Sequence, residues 1–170
     1  MLEINAPLVE EQARHRGLVD RPTAEARTAR VIRAAGFPFA VTSSVATWAE
    51  QLADRPVAVV PNGVDPARFV APDATAPRAR PLTIGFVGTF KPWHDVDTLI
   101  ETMHRLATTA GVPPVRVLLV GEGPELPRVI SACEHMGLAS MVDSVGAVAA
   151  DQVPALLAEV DVAVAPYGPD

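Results

Sequence analysis

The stretch at 81–106, PLTIGFVGTFKPWHDVDTLIETMHRL, constrains this chain more than any other. It opens with a short apolar run, Leu82–Val87, broken by Gly88. It continues with Val96, Leu99, Ile100, Met103, Leu106 and Ala107, spaced as one face of a helix. A buried strand, a glycine turn and an amphipathic helix in that order form the opening of a βαβ unit. In such units the turn lies at the carboxyl end of the strand, where helix amides and their dipole face outward.

The segments that follow repeat the pattern. A strand at Val115–Val120 precedes a helix carrying Leu126, Val129, Ile130 and Cys133 on one side. A strand at 142–145 precedes a helix carrying Val153, Leu156, Leu157 and Val160, and DVAVA at 161–165 reads as a last strand stopped by Pro166. Strands alternating with helices of this length predict an α/β fold, a Rossmann-like doubly wound parallel sheet. The last four residues, YGPD at 167–170, then stop just past a strand's carboxyl end, the ligand edge, so the chain is expected to end where more site residues would follow.

The first part of the chain is less regular. MLEINAPL at 1–8 reads as a short strand running into a proline, and helices are expected at 9–17 and 24–35, the second starting near Pro22 and Thr23. A strand at 37–42 leads to a helix that Ser43 and Ser44 can cap, with Val45, Trp48, Ala49 and Leu52 on one side. A strand at 57–60 ends in PNGVD, where Asn62-Gly63 predicts a tight turn with positive φ. APDATAPRARP at 71–81 is polar, proline-rich and aperiodic, and reads as a linker or long loop. The expected organisation is therefore 1–70, a linker at 71–81, and a regular domain at 82–170.

The totals exclude several classes. With 170 residues, 49% apolar and 20% charged, the chain can bury a proper core. A formal charge of −6 leaves no basic stripe for nucleic acid, although a small phosphate ligand needs only local donors. One cysteine, Cys133, allows neither an internal disulfide nor a metal knuckle, and its place on an apolar helix face reads as a small core residue. No basic segment followed by an apolar stretch marks a signal peptide, and no run reaches the length of a membrane span. A cytoplasmic location is the default expectation.

Three turns could hold a ligand: VGTFKPWHD at 87–95, VGEGPEL at 120–126 and GAVAAD at 146–151. None is GxxxxGK[ST], so an ATPase-type phosphate loop is excluded. The second has Gly121 and Gly123 but Leu126 where a third glycine belongs, so the dinucleotide fingerprint fails. No acidic pair follows the first regular strand, as a response regulator requires. What remains is a Rossmann-like half whose turns can receive a nucleoside diphosphate. Lys91 is the one cation of the first turn and can face phosphate oxygens, or be an ordinary solvated lysine. Trp93 can stack on a ligand or cover strand ends. His94 can donate to a phosphate or sugar hydroxyl, or simply start a helix. Glu122 can meet a ribose, or be an exposed turn carboxylate.

Four motifs in one order carry a resemblance: PNGVDPARF at 61–69, IGFVGTFKPWHDVDTLIETM at 84–103, LLVGEGPEL at 118–126 and VPALLAEVDVAVAPY at 153–167. Together they resemble the GT-B glycosyltransferases of family 4, also called glycosyl transferases group 1. EINAPLVEEQ at 3–12 resembles a segment late in that family's N-terminal domain. The resemblance implies that 1–70 is the end of the N-terminal GT-B domain and 82–170 an incomplete nucleotide-sugar-binding domain. It implies retaining transfer of a sugar, hexosyl or related, from a nucleoside-diphosphate sugar to an acceptor hydroxyl on a glycan, lipid or small molecule. Peripheral membrane contact of the parent protein is compatible with it. Gly88 and Thr89 would let backbone amides approach the donor diphosphate, the turn after Gly146, Val148 above all, would meet the nucleobase, and Asp161 would be structural. No cofactor and no metal are expected.

The sequence departs from the family pattern in two respects. Many relatives carry an arginine after the glycine of the first turn and a lysine-glycine pair at the helix start, where this chain has Thr89, His94 and Asp95. Lys91, displaced by a few residues, is the candidate replacement, as in the family's FKPWH variant. The family's pair of catalytic glutamates would lie beyond Pro169, so the chain reads as a piece of a larger enzyme, with little or no transferase activity expected from these residues alone. A sugar-nucleotide epimerase of the same fold and a non-catalytic interaction module are the alternatives.

Overall fold

The computed structural model describes residues 1–69 and 80–167. The linker expected at 71–81 therefore lies almost wholly outside the described residues. The chain divides into two compact units, Met1–Val64 and Asp65–Asp170, each with its own parallel sheet.

In the first unit, β1 (Leu2–Ile4), β2 (Pro38–Ala40) and β3 (Ala58–Val59) pair in that order, all parallel. Helices α1 (Leu8–His15) and α2 (Arg21–Ala34) connect β1 to β2, and α3 (Ser43–Ala53) connects β2 to β3. Ile4, Ile32, Ala40, Val45, Ala46, Ala49, Ala53 and Val57 form its core. Alanine on α3 lets that helix sit close to the strands. Helix α2 begins one residue before Pro22, because the Asp20 carboxylate accepts from the Thr23 N–H at 3.0 Å and its hydroxyl at 2.7 Å. Thr42, not Ser43 or Ser44, caps α3, its Oγ1 accepting from the Val45 N–H at 3.3 Å; the serines lie inside the first turn. Two arginines close the far ends of the helices. Arg33, in the last turn of α2, donates from Nε to the Ala53 carbonyl at 2.8 Å, while Arg55, just past α3, donates to the carbonyls of Arg33 and Ala35, both at 2.6 Å. The positive φ expected at Asn62-Gly63 is absent; the segment leads into a 3-10 turn at Pro66–Arg68, capped by Asp65. An apolar cavity of about 410 Å³ opens beside β1, lined by Leu2, Ile4, Leu8, Val31 and Trp48 among others.

In the second unit, β4 (Leu82–Val87), β5 (Val115–Val120), β6 (Val142–Gly146) and β7 (Val162–Ala163) form a parallel sheet of order β6-β5-β4-β7. Helices α4 (Val96–Thr108), α5 (Leu126–His135) and α6 (Val153–Leu157) make the crossovers. From β4 the chain moves outward to β5 and β6, then returns through α6 to pair β7 on the other side of β4. The order reverses at β4, which makes its carboxyl end a topological switch point, the place where open α/β sheets bind ligands.

Both faces of the sheet are used. Phe86, Val117 and Leu119 pack with Val96, Leu99, Ile100, Met103, Val129 and Cys133 of α4 and α5. Leu118 and Val120, pointing the other way, are also buried. On that face Gly85 makes room for Val160, since a Cβ there would lie 2.3 Å from its Cγ2. Val160 stands beyond the end of α6, which is shorter than its apolar spacing predicts. At the amino end of the sheet, Asp161 accepts two bonds from Arg80, at 2.8 and 2.9 Å, and one from the Thr83 N–H at 2.8 Å. The Asp161 N–H returns a bond to the Thr83 carbonyl at 2.8 Å, fixing β7 on β4. This is the structural role expected for that aspartate.

Candidate functional site

The three turns singled out by sequence meet at one edge of the second sheet, and backbone bonds tie them together. The Gly88 N–H donates to the Val120 carbonyl at 2.9 Å, and the Gly121 N–H donates to the Gly146 carbonyl at 2.8 Å. The Glu125 N–H donates to the Phe90 carbonyl at 3.0 Å. Glycine is what allows this spacing. A Cβ on Gly121, whose φ is +124°, would lie 1.8 Å from the Gly88 carbonyl oxygen, and one on Gly123 would lie 1.7 Å from that of Thr89. A register shift between Leu119 and Val120 brings Gly146, φ +73°, opposite Val120. The Glu122 carboxylate reaches the same place, its Oε1 being 3.8 Å from where a Gly146 Cβ would stand.

One expectation changes. The Gly88 amide is engaged with Val120 and is not offered to a ligand. Gly88 instead keeps the first turn narrow, since a Cβ there would lie 2.7 Å from Phe86 Cζ. Thr89, the next residue, is exposed, and its N–H makes no hydrogen bond to a described residue. Val148 is half-buried in a turn closed by Gln152, whose Oε1 accepts from the Ala149 N–H at 3.1 Å and whose N–H donates to the Ala149 carbonyl at 2.9 Å. The Val148 main chain bonds to no described residue.

The first turn is held in an unusual conformation. Phe90 has φ +40°, costly for a bulky side chain. It is fully buried against Phe86, ring centroids 4.7 Å apart, and its carbonyl is bonded to Glu125, so packing offsets the backbone cost. Lys91 and His94 then close a reciprocal turn: the His94 N–H donates to the Lys91 carbonyl at 2.9 Å, and the Lys91 N–H donates to His94 Nδ1 at 3.1 Å. An imidazole that accepts at Nδ1 is neutral and carries its proton on Nε2. Burial also holds His94 below the ordinary histidine range. Its ring lies edge-on to Phe86, Trp93 and Tyr167, at centroid distances of 5.3, 6.1 and 5.4 Å. Lys91 is half-buried and forms no ion pair with a described residue.

Asp95 caps α4, accepting from the Thr98 N–H at 3.1 Å and the Thr98 hydroxyl at 2.6 Å, and these bonds lower its pKa. The start of α4 thus already holds a carboxylate of its own, so the dipole of that helix is answered internally. The structure brings together Gly88, Thr89, Lys91, His94, Glu122, Gly146 and Val148 on one sheet edge. Tyr167 belongs with them and was missed. The available signal was its position just past the strand that reverses the sheet order. Among the described residues no group of three or more His, Cys, Asp or Glu side chains could hold a metal ion. No described helix is long and apolar enough to cross a membrane.

Known proteins resemble this chain in sequence and in fold. The chain is 33% identical over 121 residues to 2-deoxystreptamine N-acetyl-D-glucosaminyltransferase of Streptomyces fradiae, a match covering 65% of this chain and 28% of that protein. The fold is that of solved GT-B glycosyltransferases. The Anabaena protein HepE, in complex with UDP and glucose, superposes with TM-score 0.73 at 19% identity, over 98% of this chain and 45% of its own. Sucrose-phosphate synthase of Thermosynechococcus elongatus gives TM-score 0.73 at 16% identity, over 97% of this chain and 44% of its own. The chain thus spans less than half the length of each of these relatives. The family model for glycosyl transferases group 1 matches residues 81–168, which include all three turns and the switch-point strand. On that match, over more than half its length, the chain belongs to the glycosyl transferases group 1 family.

Proposed function

We propose that this chain carries the donor-binding part of a glycosyltransferase that moves a sugar, with retained anomeric configuration, from a nucleoside-diphosphate sugar to an acceptor hydroxyl. The observation that carries the reading is the junction of three turns at the switch point, where glycine backbones pack against each other while the Thr89 amide and the Lys91 ammonium bond to no described residue. A diphosphate needs such donors, placed before it arrives. In the transfer, the bond from the anomeric carbon to the β-phosphate oxygen breaks and its electron pair stays with the diphosphate. The acceptor oxygen bonds to the same carbon on the same face, and its proton passes to the departing diphosphate oxygen. The Thr89 N–H and Lys91 would stabilise the charge gathering on the departing diphosphate, with no metal required. The Val148 main chain would meet the nucleobase and Glu122 the ribose. That HepE is solved with UDP supports a nucleotide donor. These 170 residues alone would bind donor and transfer little or no sugar.

Titration calorimetry with UDP, GDP and ADP tests the reading. One of them should bind, unaffected by a chelator. Lys91→Ala should weaken that binding about tenfold, the loss of one charge-assisted bond. If none of the three binds at millimolar concentration, the proposal fails.

A further inference from the structure

His94 sits two residues before α4, and the bond its Nδ1 makes is to the chain's own turn. The residue is 9% exposed, its ring is packed edge-on against Phe86 and Tyr167, and Nδ1 accepts the Lys91 N–H. A lysine cannot replace it there, because an ammonium has no lone pair to accept with. The neighbouring Phe90 is held at positive φ. A turn so strained needs bonds that hold it, and the two between Lys91 and His94 close it directly.

We propose that His94 is a positioning residue of the donor site: its neutral imidazole fixes the Lys91 turn, and protonation of Nδ1 breaks that bond and withdraws the lysine from the diphosphate. This rests on the donor-binding reading above. The titratable groups around the ring are Lys91 on the same turn, Asp95 next in the chain and engaged with Thr98, and the Tyr167 phenol beyond β7. Phe86 and Gly88, from β4 and its turn, bring no charge. Burial disfavours the imidazolium, so the bond opens only below the ordinary histidine range, about pH 6.5.

The proposal has a sign that distinguishes it from direct contact. A histidine touching phosphate would strengthen binding as it gains a proton. A histidine that holds the turn weakens it. UDP affinity of the full chain, measured from pH 8 to pH 5, should therefore fall more steeply in the wild type than in His94→Asn. The asparagine keeps an acceptor near Nδ1 but does not titrate, and titration of the nucleotide's own phosphate is common to both. His94→Leu should weaken binding about tenfold at pH 8, as loss of Lys91 does. Equal or tighter wild-type binding on acidification, relative to His94→Asn, overturns the proposal. A second arm needs no nucleotide. Nitrogen-15 NMR of the imidazole at pH 8 should show the Nε2–H form, with the Lys91 amide slow to exchange and exchanging faster as His94 protonates. An Nδ1–H imidazole, or a Lys91 amide indifferent to that titration, overturns the positioning role. Failure of UDP, GDP and ADP alike to bind beside the expected NMR result overturns the donor reading alone.

Discussion

Single residues at the sheet edge are constrained by contact distances more than by chemistry. Gly121 is the sharpest case, because its positive φ and its approach to the Gly88 carbonyl both exclude a side chain. Gly121→Ala should cost about 3 kcal/mol, read as a lowered urea midpoint. The sequence disclosed the glycines but not what they adjoin. Gly88 was legible as a turn, yet nothing in its neighbours revealed that its amide completes the β4–β5 ladder. Phe90 was beyond reach for a stated reason: bulky residues seldom take positive φ, and only burial against Phe86 makes it tolerable here. The His94–Lys91 bond was hidden likewise, since a histidine three residues after a lysine reads as two polar side chains in a loop.

Elements with strong periodicity were legible where packing agreed with pattern. Strands β4 and β5 and helices α4 and α5 match their apolar spacing because both faces of that sheet are covered. The edges were less legible. Helix α6 stops at Leu157 and β7 has two residues, so Val160 leaves the helix to fill the space over Gly85. Such a short strand needs an external hold, which Asp161 supplies with a side chain only 5% exposed. Removing that carboxylate leaves the Thr83 amide without its acceptor and Arg80 with only the Thr83 hydroxyl and the Pro81 carbonyl. Asp161→Ala should therefore destabilise the unit by about 2 kcal/mol, with Asp161→Asn between the two. Equilibrium unfolding would show this as a lower midpoint at unchanged slope. In the first unit the sequence located the helices but not their caps, because Thr42, Ser43 and Ser44 are chemically alike and only backbone angles choose among them.

At the scale of the molecule, each unit contains one tryptophan, Trp48 in the first and Trp93 in the second. Trp93 sits in the proposed donor turn beside His94. A nucleoside diphosphate that binds as proposed should change the emission of Trp48→Phe, which reports Trp93 alone. It should leave that of Trp93→Phe unchanged. The reverse pattern would place the ligand in the first unit instead. The parallel sheet of the second unit could be read from the order of its segments, whereas that of the first appears only in the structure, and the switch point follows from where β7 returns.

The exchange of arginines between α2 and α3 has one more effect. Each guanidinium sits on the final carbonyls of the other's helix, so neither tail can unravel without withdrawing support from its neighbour. Fraying, ordinarily a private matter for each helix, becomes a joint event in this pair. Pro38 and the strand it opens follow directly from one of those tails, and so inherit an anchorage that three paired residues could not provide by themselves.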